Sequence, residues 1–529
     1  VTALQAWGAK SLQRRRQGQA PQSVVLPMPP PFGGLNAISA KAAMPAEDAL
    51  ILDNYFPKPG GVVLRAGYRI WTTGGMGGAA VQTLAEWASG GTRKLLAAAN
   101  GHIYDCSTLG ADATSLASGF TSNQWQTVQF RAQLHFVNGV DAPQMYNGST
   151  ISAPAWTGPT VANLVNVNIY RSRMYFVEKN TLKVWYGGVD SVSGALTAFD
   201  MSSLFKRGGT LSFMATWTRD SGNGMDDLAV FVSDQGEIQV YQGAYPNDPT
   251  WYRIGRYDTL EPLGLRAYAT FGSELLIGTV GGVIPMSAII AFGAEEQTSK
   301  AITFKINQLI SNASLLWRDN FGWQLVVYPH GNYIVLNVPV SDDAGSVSSW
   351  QYVVNTLTGG WCRFLGQNAP CFGIFNTLLY FGTGDGRVMQ ADYGYSDGST
   401  AELKTDGSVI SGTIKTSFQD YQLPGRFKRF LNCQPFISSN GEVALGIAIQ
   451  VDYKDRAIEG TISTNQSGSP WDTSPWDTTP WGDATQVNRA WLGIGGAGHV
   501  AALRINTMTT SNTIEFQGFN LMLEPGGQL

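Results

Sequence analysis

LLAAANGHIYDC (residues 95–106), LHFVNGVDAPQMYNG (134–148) and MYFVEKNTLKVWYGG (174–188) share one plan: an apolar run, a tight turn, and a second apolar run. β-Branched and aromatic residues fill the runs, which suits a pleated, half-buried surface. The plan returns in LAVFVSDQGEIQVYQG (228–243), LLIGTVGGVIPMSA (275–288), YIVLNVPV (333–340) and LLYFGTGDGRVMQAD (378–392). Asn100-Gly101, Asn138-Gly139, Gln235-Gly236, Gly281-Gly282 and Asp385-Gly386 stand where a hairpin needs positive φ, which glycine adopts without a Cβ clash. The units start 39, 40, 54, 47, 58 and 45 residues apart. A four-stranded propeller blade takes about 40–50 residues, so the spacing predicts a β-propeller. One blade has two apolar faces and cannot hide both alone, whereas blades stacked radially cover each other. Stacked β-sandwiches are the competing reading, because they too consist of short strands and glycine turns.

Outside this region the pattern changes. IKTSFQDYQL (414–423), RFLNCQPFIS (429–438), EVALGIAIQVDY (442–453), AALRIN (501–506) and TIEFQGFNLML (513–523) alternate over longer spans and predict a separate β-sandwich. The expected architecture is therefore all-β: an extended N-terminal arm over residues 1–32, a propeller over 33–400, and an appended C-terminal β-sandwich over 401–529. Pro27, Pro29, Pro30 and Pro31 mark the arm as extended. Pro45 followed by Glu47 and Asp48 predicts a short helix with Ala49, Leu50 and Leu52 inward. Ile302, Ile306, Leu309 and Ile310 recur near helical spacing and make residues 299–316 the best helix candidate, outside the sheet layers.

Composition narrows the function. The 529 residues carry 35 basic and 39 acidic side chains, a net charge of −4, without the basic surplus of a chain that grips nucleic acid through its phosphates. No stretch approaches the roughly 18 apolar residues of a membrane span, and Arg14, Arg15 and Arg16 follow the weakly apolar start, unlike a secretory signal. A soluble chain is expected. Cys106, Cys362, Cys371 and Cys433 are scattered, which argues against both a disulfide framework and a zinc site. His102, His135, His330 and His499 form no metal-binding pattern, and His102 and His135 read as sheet residues. No nucleophile elbow, P-loop or dinucleotide fingerprint occurs. SDQGEIQVY (233–241) faintly resembles the Asp-box turn of sialidase propellers, yet lacks its Ser–Asp spacing and following Thr-Trp, and reads as a hairpin. Nothing selects Glu237, Glu261 or Asp226 as glycosidase carboxylates over their neighbours. No catalytic, cofactor-binding or metal-binding residue is assigned.

Two features remain as candidate subunit-interface residues. Arg14, Arg15 and Arg16 would touch DNA, an acidic neighbouring subunit, or nothing. In SPWDTSPWDTTPWGDA (469–484), Trp471, Trp476 and Trp481 either fold back over the sandwich or stand out to anchor a neighbour, where tryptophan is a favoured contact.

GLNAISAKAAMPAEDALILDNYFPKPGGVVLRAGY (34–68) resembles an N-terminal block of tail proteins from short-tailed bacteriophages. The likeness is carried by Leu35, Asn36, Met44, Pro45, Asp48, Ala49, Leu52, Asp53, Asn54, Phe56, Pro57, Gly61, Val63, Leu64, Arg65, Gly67 and Tyr68. It implies a tail nozzle or hub subunit of the packaged-DNA stabilisation class: a ring, usually a hexamer, beneath the portal and adaptor rings of the virion tail. Such a ring conducts and retains double-stranded DNA and meets adaptor and tail fibre or tailspike proteins. A near-neutral, slightly acidic wall would let DNA slide. The rival expectations are a glycan-cleaving propeller at the virion tip and a receptor- or glycan-binding module using exposed tryptophan.

Overall fold

A computed structural model describes residues 23–220, 225–341, 347–400, 403–458, 462–463 and 486–526. Each of the seven periodic runs begins in the second strand of one blade, and six of them continue into its third. Blade 1 pairs Thr83–Ser89, Thr92–Ala99, His102–Asp105 and Thr114–Ser118 in sequence order, and blades 2, 3 and 4 repeat this up-and-down plan over 126–152, 164–200 and 211–258. Blade 5 has three strands, Tyr268–Phe271, Glu274–Thr279 and Gly282–Pro285. Blade 6 runs from Gln324–Tyr328 to Trp361–Phe364. Blade 7 combines Phe372–Phe375, Leu378–Gly382 and Val388–Ala391 with Tyr68–Ile70, a strand contributed from far upstream that closes the ring. The first strands of successive blades are neighbours, and Phe372–Phe375 returns to Thr83–Ser89.

Alternation along each strand explains the stacking. Phe213 and Ala215 face blade 5, whereas Met214, one residue out of phase, faces blade 3. Leu134 and Phe136 likewise pack on blade 1, and Val137 packs on blade 3. Each of these four apolar clusters thus lies between two blades, as the burial argument requires.

The sandwich differs from its expected boundaries. One layer joins Tyr55–Lys58 and Gly61–Leu64 to Ile514–Pro525 and Lys428–Ser439. The other joins Asp48–Asp53 to Ile410–Thr416, Ala501–Thr509 and Ala444–Val451. Residues 33–64, expected in the propeller, are therefore sandwich, and the propeller begins at Tyr68. The short helix expected after Pro45 is the strand Asp48–Asp53. Its ladder with Ile410–Thr416 and full burial of Ala49 and Leu52 outweigh a helix propensity spread over so few residues. Within the expected arm, Val24–Met28 is extended. It pairs antiparallel with Ile514–Pro525, with Pro27 opposite Asn520 on an edge strand, where its missing N–H is tolerated. Residues 299–316 are mostly helical, as a short turn over Phe304–Ile306 and a helix over Asn307–Trp317, and Ile306 and Ile310 are fully buried between blades 5 and 6.

Candidate functional site

The block 34–68 builds the junction between propeller and sandwich. Arg65 follows Gly61–Leu64 and turns toward blade 7, where its Nη1 and Nη2 donate to Oδ1 and Oδ2 of Asp397 at 2.7 and 2.6 Å. Nε donates to Asn54 Oδ1 at 3.0 Å, Nη1 to the Ala66 carbonyl at 3.0 Å and Nη2 to the Leu365 carbonyl at 2.7 Å. All five guanidinium hydrogens are spent, which is what permits a charge whose side chain is only 2% exposed. Asn54 sits at φ 59°, a conformation asparagine tolerates, and its amide donates to the Ser411 carbonyl in the sandwich. Two further acids tie the same strand outward. Asp53 accepts both Nε and Nη2 of Arg363 from blade 6 at 2.8 Å each. Asp48, fully buried, accepts from Asn36 and from Lys305 of the helical insertion, each at 2.7 Å. Gly67 lets the chain enter blade 7, because a Cβ there would stand 2.0 Å from the Ser396 carbonyl oxygen.

Beside this weld lies a cavity of about 530 Å³ with a floor of Phe56, Leu64, Tyr333 and Phe364 and a rim bearing Lys58 and Asp392. Phe56, Tyr333 and Phe364 meet edge to face at centroid distances of 5.6 to 6.4 Å.

One side chain bridges blades across the propeller. Arg266 precedes the inner strand of blade 5, and its side chain crosses to blades 1 and 2. There Nη1 donates to the Gln82 carbonyl at 2.8 Å, and Nη2 to Thr83 Oγ1 at 2.9 Å and the Trp125 carbonyl at 2.5 Å. Burial pulls this guanidinium down to about 10, and Phe321 lies beneath it at 5.0 Å. A further cavity of about 350 Å³ is lined by Asn168, Thr216, Tyr268, Thr270 and Val327, all uncharged. Arg266→Leu takes a donor from three oxygens, of which Thr83 Oγ1 keeps the Trp125 backbone N–H. Its expected cost is about 2 kcal/mol, measured by urea unfolding, and an unchanged midpoint would remove the bridge from the account.

Other titratable groups serve structure. Glu237 accepts the Lys206 and Arg207 backbone N–H groups and Arg256 Nε. Although burial opposes its charge, these bonds hold its carboxyl below the usual value. Glu261 pairs with Arg318. Asp226 lies on the strand Met225–Ser233. In the SDQG turn, Asp234 accepts from the Thr210 backbone and hydroxyl, and Gly236 takes φ 72°, as the hairpin reading expects. His102 and His135 are both strand residues. All four cysteines are buried free thiols, and burial pushes each thiol up. Among the described residues no three His, Cys, Asp or Glu side chains converge as a metal site. No described helix is long and apolar enough to cross a membrane. The candidate interface residues Arg14, Arg15, Arg16, Trp471, Trp476 and Trp481 lie outside the described residues. The junction residues were quoted from the block, but their partners Asp397, Arg363 and Lys305 carry no local signal.

No protein-family model matches the chain, and no curated protein does. Among solved structures, the computationally designed Ika8 protein is similar over 61% of this chain and 99% of its own, at 12% identity and TM-score 0.34. BBS1N, solved in complex with ARL6DN, and YCF48, solved bound to D1 peptide, are each similar over 62% of this chain and 97% of their own, at 9% identity and TM-score 0.36. Likenesses this distant carry no functional argument, and the propeller stands on its own strand pairing.

Proposed function

We propose that this chain is a structural subunit of the tail nozzle or hub of a short-tailed bacteriophage. In this reading copies close into a ring, a hexamer by the habit of the resembled family, below the portal and adaptor rings of the virion. The ring conducts and retains packaged double-stranded DNA, and its outer faces meet adaptor and tail fibre or tailspike proteins. The observation that carries the reading is the block 34–68, whose residues weld propeller to sandwich through Arg65, Asn54, Asp53 and Asp48. A tail ring bears internal pressure, and a subunit of two units joined by saturated ion pairs transmits load as one body. Because a guanidinium bridges blades across the propeller, duplex DNA would run between copies and not through a propeller. A net charge of −4 favours sliding over adhesion.

Mass measurement of the purified chain, alone and mixed with adaptor rings, tests this. The expected result is a closed oligomer or its formation on adaptor contact. A monomer that never joins adaptor rings would overturn it. A second reading, glycan recognition at the virion tip, is favoured by the polar rim of the junction cavity.

A further inference from the structure

The junction cavity holds polar groups that the fold leaves unspent. Asp392 stands on its rim at φ 56°, and no hydrogen bond contributes to its electrostatic surroundings, which consist of burial opposed by His330 and Lys58. The Asp392 carboxylate is reached by water yet is deep among protein atoms, as a group on a concave wall is. Tyr333 is 8% exposed, and its hydroxyl likewise has no hydrogen-bond partner in its surroundings. The second cationic side chain of the lining, Arg65, is fully occupied by Asp397 and neighbouring oxygens. The lining also offers the Asp392 carboxylate, the Lys58 ammonium, the His330 imidazole, the Tyr333 and Tyr395 phenols and the Asn332 amide above an aromatic floor.

Of these only Tyr333 is buried; Asp392, Lys58, His330 and Asn332 are exposed, and their hydrogen bonds are open to a ligand or to water. With Asp392 offset by Lys58, the lining makes no demand for a strongly charged ligand. Mixed donors and acceptors over ring faces suit vicinal hydroxyls above a C–H face. A volume of about 530 Å³ falls in the range of roughly 300–1,000 Å³ typical of small-molecule pockets.

We propose that the cavity between propeller and sandwich binds a neutral saccharide of one or two rings, with Asp392, Tyr333 and Lys58 on its hydroxyls and Phe56 and Phe364 beneath it. This site stands apart from the ring reading, since saccharide binding and particle assembly are read by different measurements. Titration calorimetry of the full chain with lactose and maltose, and with sialyllactose as an anionic comparison, tests it. Expected is millimolar or tighter binding of a neutral disaccharide, weakened at least ~10-fold by Asp392→Asn and by Tyr333→Phe. Melting temperatures of both variants report folding, and a third variant, Lys58→Gln, at the exposed rim keeps the test open if either fails to fold. No heat with either neutral sugar, affinity unmoved in the folded variants, or tighter binding of sialyllactose would each overturn the proposal.

Discussion

Arg65→Met is expected to lower the free energy of unfolding by about 3–5 kcal/mol, the usual consequence of removing one partner from a buried ion pair. The loss comes mainly from what stays behind. Asp397, with its side chain 9% exposed, would keep a negative charge with no cation, and the Leu365 carbonyl and Asn54 amide oxygen would each lose a donor. The charge-matched double variant Arg65→Met with Asp397→Asn separates the causes. It is expected to recover a substantial part of the loss, because an amide is far cheaper to bury than a lone carboxylate. Urea unfolding of the parent and both variants measures this, and an Arg65→Met variant within about 1 kcal/mol of the parent would contradict the weld.

His135 supplies the second large effect, and it depends on pH. The side chain is 1% exposed, neither ring nitrogen has a hydrogen-bond partner, and burial pulls it from 6.5 down to about 4. It shares a strand face with Val137, which packs between blades 2 and 3, where Trp156 Nε1 is also unpartnered. The fold therefore holds the imidazole neutral, and the unfolded chain takes up the proton more readily. Stability from this group is complete above pH 6.5 and is lost as pH falls through about 4. The gap of about 2.5 pH units corresponds to about 3 kcal/mol. Melting temperatures between pH 7 and pH 4 should fall more steeply for the parent than for His135→Met. Parallel profiles would show that this histidine is not the acid-sensitive group.

The second strand of every blade, and in blades 1, 2, 4, 5 and 7 the glycine turn after it, were legible because apolar runs and positive-φ residues are local signals. The turn before it was less so. In blades 2, 3 and 7 the first hairpin turns on Arg131-Ala132, Arg171-Ser172 and Asn376-Thr377, all at positive φ without glycine. Strand pairing on both sides forces conformations that these residues do not prefer, and no residue type announces them. Blade 5 gave no warning that helices would stand where a fourth strand was expected. Asp48–Asp53 was misread for a related reason: its partner strand starts at Ile410, and such distant pairing decides what six residues become. The junction was half legible. Arg65 stands out within the quoted block, but Asp397 is one of many aspartates until the fold brings it to 2.6 Å. The cavity was not legible, since its floor and rim come from several separate stretches.

Tyr68–Ile70 waits for Val388–Ala391, and Gly61–Leu64 waits for Ile514–Pro525. A ribosome therefore releases the first partner of each seam long before the second exists, so the propeller cannot close before residue 391, nor the sandwich before residue 525, has emerged. Prematurely terminated chains would carry open sheet edges and be recognisable to proteases.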